Sequence, residues 1–181
     1  MKKICAAIAM LMIVLSSGCS SDEQKSLDYV KTNGYVVYEN LDITVGQSVW
    51  DEFISASDAG AICEVPLAFY YTLGDPSHYS PEMYEEEKAR YPLLYTKTLS
   101  FDGEKYTLTY SDEDGDHVEE YRYMLKLTGD AESATATYSH YVRYVLADDE
   151  TVTWDEIFRS MVSSQSGAYI RHSVVYTDTW K

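Results

Sequence analysis

Covalent or metal chemistry in this chain of 181 residues would have to come from three cysteines, four histidines and one short run of carboxylates. His78, His117, His140 and His172 never fall at metal-ligand spacing on one predicted helix. His140 and His172 lie on predicted strands and could meet across a sheet, although a hydrogen-bonded structural histidine is the commoner use of the residue. In "SDEDGDH", residues 111–117, Asp112, Asp114 and Asp116 alternate, with Glu113 beside them. Such clusters suit calcium, which takes about six to eight oxygen ligands. Gly115, however, is misplaced for an EF-hand loop and no glutamate closes it, so the run reads as a solvated hairpin turn. Cys63, between Ile62 and Glu64, reads as a small buried hydrophobe; a thiol nucleophile is the sharper alternative. His-Glu-x-x-His, Gly-x-Ser-x-Gly, a phosphate-cradling glycine loop and Cys-x-x-Cys are absent from the sequence. These residues point to no catalytic group, no bound metal and no cofactor.

The other two cysteines stand near the N-terminus. Lys2 and Lys3 precede an unbroken apolar run of twelve residues, Ile4 to Leu15, which is the build of an export signal. As a helix the run is roughly 18 Å long, short of a hydrocarbon core of about 30 Å, so it targets the chain and does not span. Ser16-Ser17-Gly18 supplies small residues for cleavage, and Cys19 follows at once. "LSSGC" resembles a bacterial lipobox, in which the signal is cut just before the cysteine. The resemblance implies that Cys19 is lipidated, with a diacylglyceryl group on its thiol and a further acyl chain on its amine. At about 0.8 kcal/mol per buried methylene, two or three chains make a stable anchor where one is marginal. A plain secretory signal with an incidental cysteine is the alternative. Cys5 leaves with the signal and Cys19 goes to lipid, so Cys63 remains alone and no internal disulfide forms.

The expected organisation is a signal peptide over 1–18, a lipid-anchored flexible tether over 19–32 and a single domain over 33–181. Removing the signal takes two lysines and no acid, leaving 12 basic against 30 acidic residues, a formal −18. That balance excludes a nucleic-acid partner and a polybasic grip on anionic lipid. It fits a solvated acidic exterior, or more sharply a site for a cationic partner.

Capping and period predict three helices. In "TVTWDEIFRSMVSS", Thr153 and Glu156 form a capping box, and Trp154, Ile157, Phe158 and Met161 share one apolar face. In "GQSVWDEFISASDAG", Ser48 can cap and Trp50, Phe53 and Ile54 repeat the pattern. "SPEMYEEEKARYP" opens on Ser80-Pro81, has a thin apolar face and should lie on the surface. The rest is strand-like. "LLYTKTLSFDGEKYTLTYS" is a hairpin turning at Asp102-Gly103, with Tyr106, Leu108 and Tyr110 on one face and Thr107 and Thr109 opposite. Segments 117–127 and 132–149 extend it to a four-stranded antiparallel meander, the last needing a bend or bulge. "YVVY", "PLAFYYT" and "YIRHSVVYT" add flanking strands. The fold class is therefore α+β: an antiparallel sheet with two or three helices on one face and the other partly wet. Residues 35–72 and 141–177 both read strand, helix, strand around Trp-Asp-Glu, so an internal duplication is one reading.

"NGYVV" at 33–37, "WDEFI" at 50–54, "YYTLGDP" at 70–76 and "LSFDGEKYTLTYSD" at 99–112 occur in that order. Together they resemble a family of small Firmicute lipoproteins that carry a domain of unknown function. The resemblance covers roughly residues 33–76 and 99–127; the helix at 80–91 and the second Trp-Asp-Glu helix depart from it. It implies a location and a fold, and no activity. Tyrosine is the compositional outlier at 18 residues, which serves either a half-buried sheet or a peptide- or glycan-binding face. "ATATYSHYVRY" at 134–144 is the segment where an exposed aromatic row is expected. The leading functional expectation is a noncatalytic binding module held on the extracytoplasmic face of the membrane through Cys19, with a protein, peptide or glycan ligand. The alternatives are an envelope enzyme using Cys63 or a histidine–carboxylate pair, and a structural spacer or inhibitor.

Overall fold

Runs of alternating side chains, and one break in that alternation, set the architecture. The structure is a computed structural model and describes residues 26–40, 42–131, 136–163 and 167–181. In chain order the elements begin with α1 (Leu27–Thr32), β1 (Val36–Glu39), β2 (Asp42–Val45), α2 (Gln47–Asp58) and β3 (Cys63–Tyr71). There follow α3 (Pro81–Lys88), β4 (Leu93–Phe101), β5 (Tyr106–Asp112), β6 (Gly115–Tyr121) and β7 (Tyr123–Asp130). The chain ends with β8 (His140–Ala147), α4 (Trp154–Val162) and β9 (His172–Trp180).

Six strands form one sheet in the order β2-β1-β3-β4-β5-β6, and three form a second, β7-β8-β9. All pairings are antiparallel except β1 with β3. The Asp102-Gly103 turn joins β4 to β5 as expected. Gly103 takes φ +101°, and Asp102 Oδ1 accepts from the backbone N–H groups of Glu104 and Lys105, each at 2.9 Å. The expected strand over 117–127 breaks at Arg122, so β6 ends one sheet and β7 starts the other. The meander of four strands is thereby split, and the two sheets face each other across the core.

That core is aromatic. Tyr38 stacks on Phe69 at 4.8 Å between ring centroids and Trp50 on Tyr176 at 4.6 Å, with Tyr144 edge-on to both Trp50 and Tyr176. The hydroxyl of Tyr38 donates to the Val175 carbonyl at 3.3 Å and that of Tyr176 to Gln47 Oε1 at 3.0 Å, tying the sheets and α2 together. Offset and edge-on pairs of this kind add about 0.5–1.5 kcal/mol each beyond area burial.

The class is α+β as expected, but the helices occupy separate surfaces because the strands make two sheets instead of one. α2 sends Trp50 and Phe53 between the sheets, and α4 packs Ile157 on the far face of the second sheet. α1 lies on the outer face of the large sheet, where fully buried Val30 meets Val37 and Ala68. Within the segment expected as a tether, 19–32, the described part is α1, a helical turn around Leu27, Tyr29 and Val30, and the Ser26 hydroxyl caps it by accepting from the Tyr29 N–H at 3.1 Å; residues 19–25 lie outside the described residues. The N-cap of α2 is Gly46 at φ +90°, not Ser48, because the chain arrives directly from β2, a strand the periodicity did not announce. A side chain at Gly46 would strike the Tyr35 carbonyl oxygen and the Val36 Cα. The two strand–helix–strand units differ in sense: β1 and β3 run parallel, β8 and β9 antiparallel.

Candidate functional site

Threonine and serine at alternate positions put a row of hydroxyls on the outer face of the large sheet. On β4 these are Thr96, Thr98 and Ser100; on β5, Thr107, Thr109 and Ser111. Their neighbours Leu99, Leu108 and Tyr106 point inward to the core. Thr98 stands opposite Thr109 in the ladder, Thr109 opposite Val118 and Ser111 opposite Asp116. α1 packs on this face over β1 and β3, with Val45 of β2 and Leu94 of β4 at its margin, and among the described residues the face opens beyond Leu94. The result is a groove of about 920 Å³. Thr96, Thr98 and Thr109 form its floor, Tyr35 and Leu94 its wall on the α1 side, and Val118, 67% exposed, its far rim.

The β5–β6 turn closes one end of the groove with Glu113 and Asp116, while the Asp112 side chain turns to the inner face beside Tyr110 and His117. His117 Nε2 lies 2.7 Å from Asp112 Oδ1, and this bond is the largest influence holding the Asp112 carboxyl below its ordinary range. The Ser111 hydroxyl donates to Asp116 at 2.6 Å. The groove is thus neutral and hydroxyl-bearing along its floor and anionic at one end.

On the inner side of the same strands a polar cluster finishes the core. Glu119 accepts from the hydroxyls of Tyr110 at 2.8 Å and Tyr121 at 2.7 Å. Burial works to raise the Glu119 carboxyl, but the two hydroxyls, with Lys97 and Arg171 nearby, outweigh it and leave it below its usual value. The Lys97 ammonium sits 4.7 Å above the Tyr110 ring, and burial lowers its pKa against the pull of Glu119. Arg171 stacks on Tyr121 at 4.3 Å and bonds to Asp148 and the Glu120 carbonyl, fastening the β6 edge to the second sheet. Every member of the cluster is used by another, which makes it a fastening.

The residues singled out from sequence fall as follows. Cys19 lies outside the described residues. The Cys63 thiol, half-buried, donates to the Phe53 carbonyl at 3.8 Å, and burial pushes its pKa up, the reverse of what a nucleophile needs. His140 and His172 do not meet: His140 pairs with Trp180 and His172 with Ala147, at opposite ends of the β8–β9 ladder. Two histidine–carboxylate pairs exist, His117 with Asp112 and His140 with Asp130, both at 2.7 Å. Among the described residues no cluster of histidine, cysteine and acidic side chains is arranged to hold a metal ion. Part of the 134–144 segment lies outside the described residues, and its described tyrosines do not form an exposed row. Tyr141 is buried against Trp154 and Tyr144 packs between the sheets, because the register turns them to opposite faces.

The hydroxyl floor itself was visible only in part: Thr107 and Thr109 were placed opposite the tyrosine face. "TKT" at 96–98 and "TLT" at 107–109 carry the signal. It takes the register to lay one beside the other. Compared with protein families, with curated proteins and with solved structures, the chain matches none of them.

Proposed function

We propose that this chain is a lipid-anchored, extracytoplasmic binding module of the cell envelope, holding a ligand in the groove over β4–β6 without transforming it. The observation that carries the reading is the groove: a broad concavity with a hydroxyl floor, open among the described residues, on a framework tied by buried aromatics. Its position favours capture at a surface. The described residues start at Ser26, seven residues after Cys19, and a chain spans at most about 3.6 Å per residue, so an anchored domain stays within roughly 25 Å of its lipid. Tyr35, just after α1, lines one side of the groove. The acidic exterior keeps the domain off an anionic bilayer.

The test uses the full chain in mild detergent, crosslinked to envelope extract, beside a Thr98→Val/Thr109→Val form. Valine keeps the β-branched shape and strand preference while removing both hydroxyls. Capture by the wild type and its loss in the double variant is the expected result. Equal capture by both forms, or none by either, contradicts the reading. A catalytic reading has one feature in its favour, the His117–Asp112 pair at the same turn, on the inner face beside Tyr110. It requires that captured material be altered and that His117→Ala stop this; binding alone returns the ligand unchanged.

A further inference from the structure

The chemistry of the groove narrows its ligand. Resting on the binding reading above, we propose that the occupant is a linear glycan bearing free amino groups, its rings over the threonine floor and an ammonium group at the Glu113–Asp116 end.

Three features distinguish this from a peptide. Peptides taken up by a sheet dock on a free edge through backbone hydrogen bonds, with apolar pockets for alternate side chains. The groove instead lies on a sheet face and offers side-chain hydroxyls. A hydroxyl donates once, accepts twice and rotates to suit, so Thr96, Thr98 and Thr109 match a polyol, whose own groups do the same. Facing strands are about 4.8 Å apart and same-face residues roughly 7 Å apart along a strand, a spacing that lets adjacent ring hydroxyls engage the floor directly or through one water. Tyr35, packed against the α1 cluster with Tyr29 edge-on to it at 6.4 Å, borders the floor with apolar surface of the kind the C–H groups of a sugar ring meet. Val118 provides the same on the far rim.

Size and charge add the rest. About 920 Å³ lies at the upper end of the roughly 300–1,000 Å³ of small-molecule sites, so the groove takes an oligomer in preference to a single ring. Of the carboxylates at the turn, Asp112 is turned to the inner face, where it pairs with His117 beside Tyr110, and Glu113 and Asp116 serve the groove. Asp116 accepts from the Ser111 hydroxyl and keeps acceptor lone pairs. Lys97 also borders the groove, but its ammonium lies over the Tyr110 ring on the inner face of the sheet. An anionic polymer is repelled from this end, an uncharged one gains nothing there, and an amine is attracted.

The test titrates the full chain in detergent, by calorimetry, with glucosamine oligomers, with the same oligomers fully N-acetylated and with an oligolysine peptide. The proposal expects binding of the glucosamine oligomer, weakened roughly fivefold by Glu113→Gln/Asp116→Asn. It also expects that difference to shrink at high salt, and Thr98→Val/Thr109→Val to abolish binding. Equal binding of the N-acetylated oligomer overturns the amine claim and leaves a glycan-binding groove. Binding of oligolysine but of neither glycan overturns the glycan claim and leaves a peptide-binding one. Binding of none overturns the proposal, while the envelope capture experiment still decides whether the groove binds anything.

Discussion

Glu119 shows how a half-buried carboxylate is held in this fold. Its two tyrosine partners and two nearby cations favour the charged form, so its folded pKa lies below the ordinary value of 4.5. A depressed carboxylate contributes stability that is complete above its unfolded pKa and lost as pH falls through the folded one. Glu119→Gln should therefore cost about 1 kcal/mol in urea unfolding at pH 7, since hydrogen bonds to a charged acceptor are replaced by weaker neutral ones. The gap from wild type should close as pH drops below about 4. A gap that persists in acid would mean the carboxylate's charge is irrelevant. Gly46 is the other residue under strict demand. At φ +90°, with the Tyr35 carbonyl oxygen where a Cβ would stand, it leaves no room for a methyl group, and Gly46→Ala should lower stability by about 2 kcal/mol or more, read from the same urea curves.

At the scale of elements, what was legible in the sequence is what is local. The β4–β5 hairpin follows from Asp102-Gly103, and α4 from its capping box, in which the Thr153 hydroxyl accepts from the Glu156 N–H and the Glu156 carboxylate accepts from the Thr153 N–H. Thr153→Ala should cost about 1 kcal/mol, checked by urea unfolding. The burial of α4 was less legible. Phe158 and Met161 belong to its apolar stripe yet are 41% and 45% exposed, because the helix meets the sheet along Ile157 and the small Ser160. Whether a helical face is covered depends on the partner, which lies far off in sequence. The same reason hid the break at Arg122, the parallel β1–β3 pair, β2 and the docking of α1. One buried residue holds α1, so Val30→Ala, losing about 1.5 kcal/mol of burial, should release it. Limited proteolysis would then cut between Ser26 and Asn33 in the variant and spare the wild type. Equal resistance would mean that Val30 is not what holds the helix.

Across the whole molecule, the excess of tyrosine is spent at buried and half-buried positions. Tyr38, Tyr71, Tyr106, Tyr110, Tyr121 and Tyr176 all have raised pKa values; burial is the chief cause in each except Tyr110, where the bond to Glu119 leads. A phenol whose folded pKa lies above its unfolded value of about 10 contributes stability that is complete below that pH and lost as pH climbs past it. Lys97, lowered by burial, works in the opposite sense, one group against six. The melting temperature should therefore fall steeply above pH 10, with much of the phenolate absorbance appearing together with unfolding. Full phenolate absorbance in a still-folded domain would contradict this packing.

The proposed place of the molecule in the cell depends on Cys19: lipid there, seven residues before Ser26, would turn a sheet with a groove into a surface-held receptor. Mass spectrometry of the N-terminal peptide of the mature protein, isolated from membranes, tests this most directly. The account predicts a peptide that starts at Cys19 and carries a diacylglyceryl thioether. A peptide with the Gly18–Cys19 bond intact, or a Cys19 with a free thiol, would contradict it.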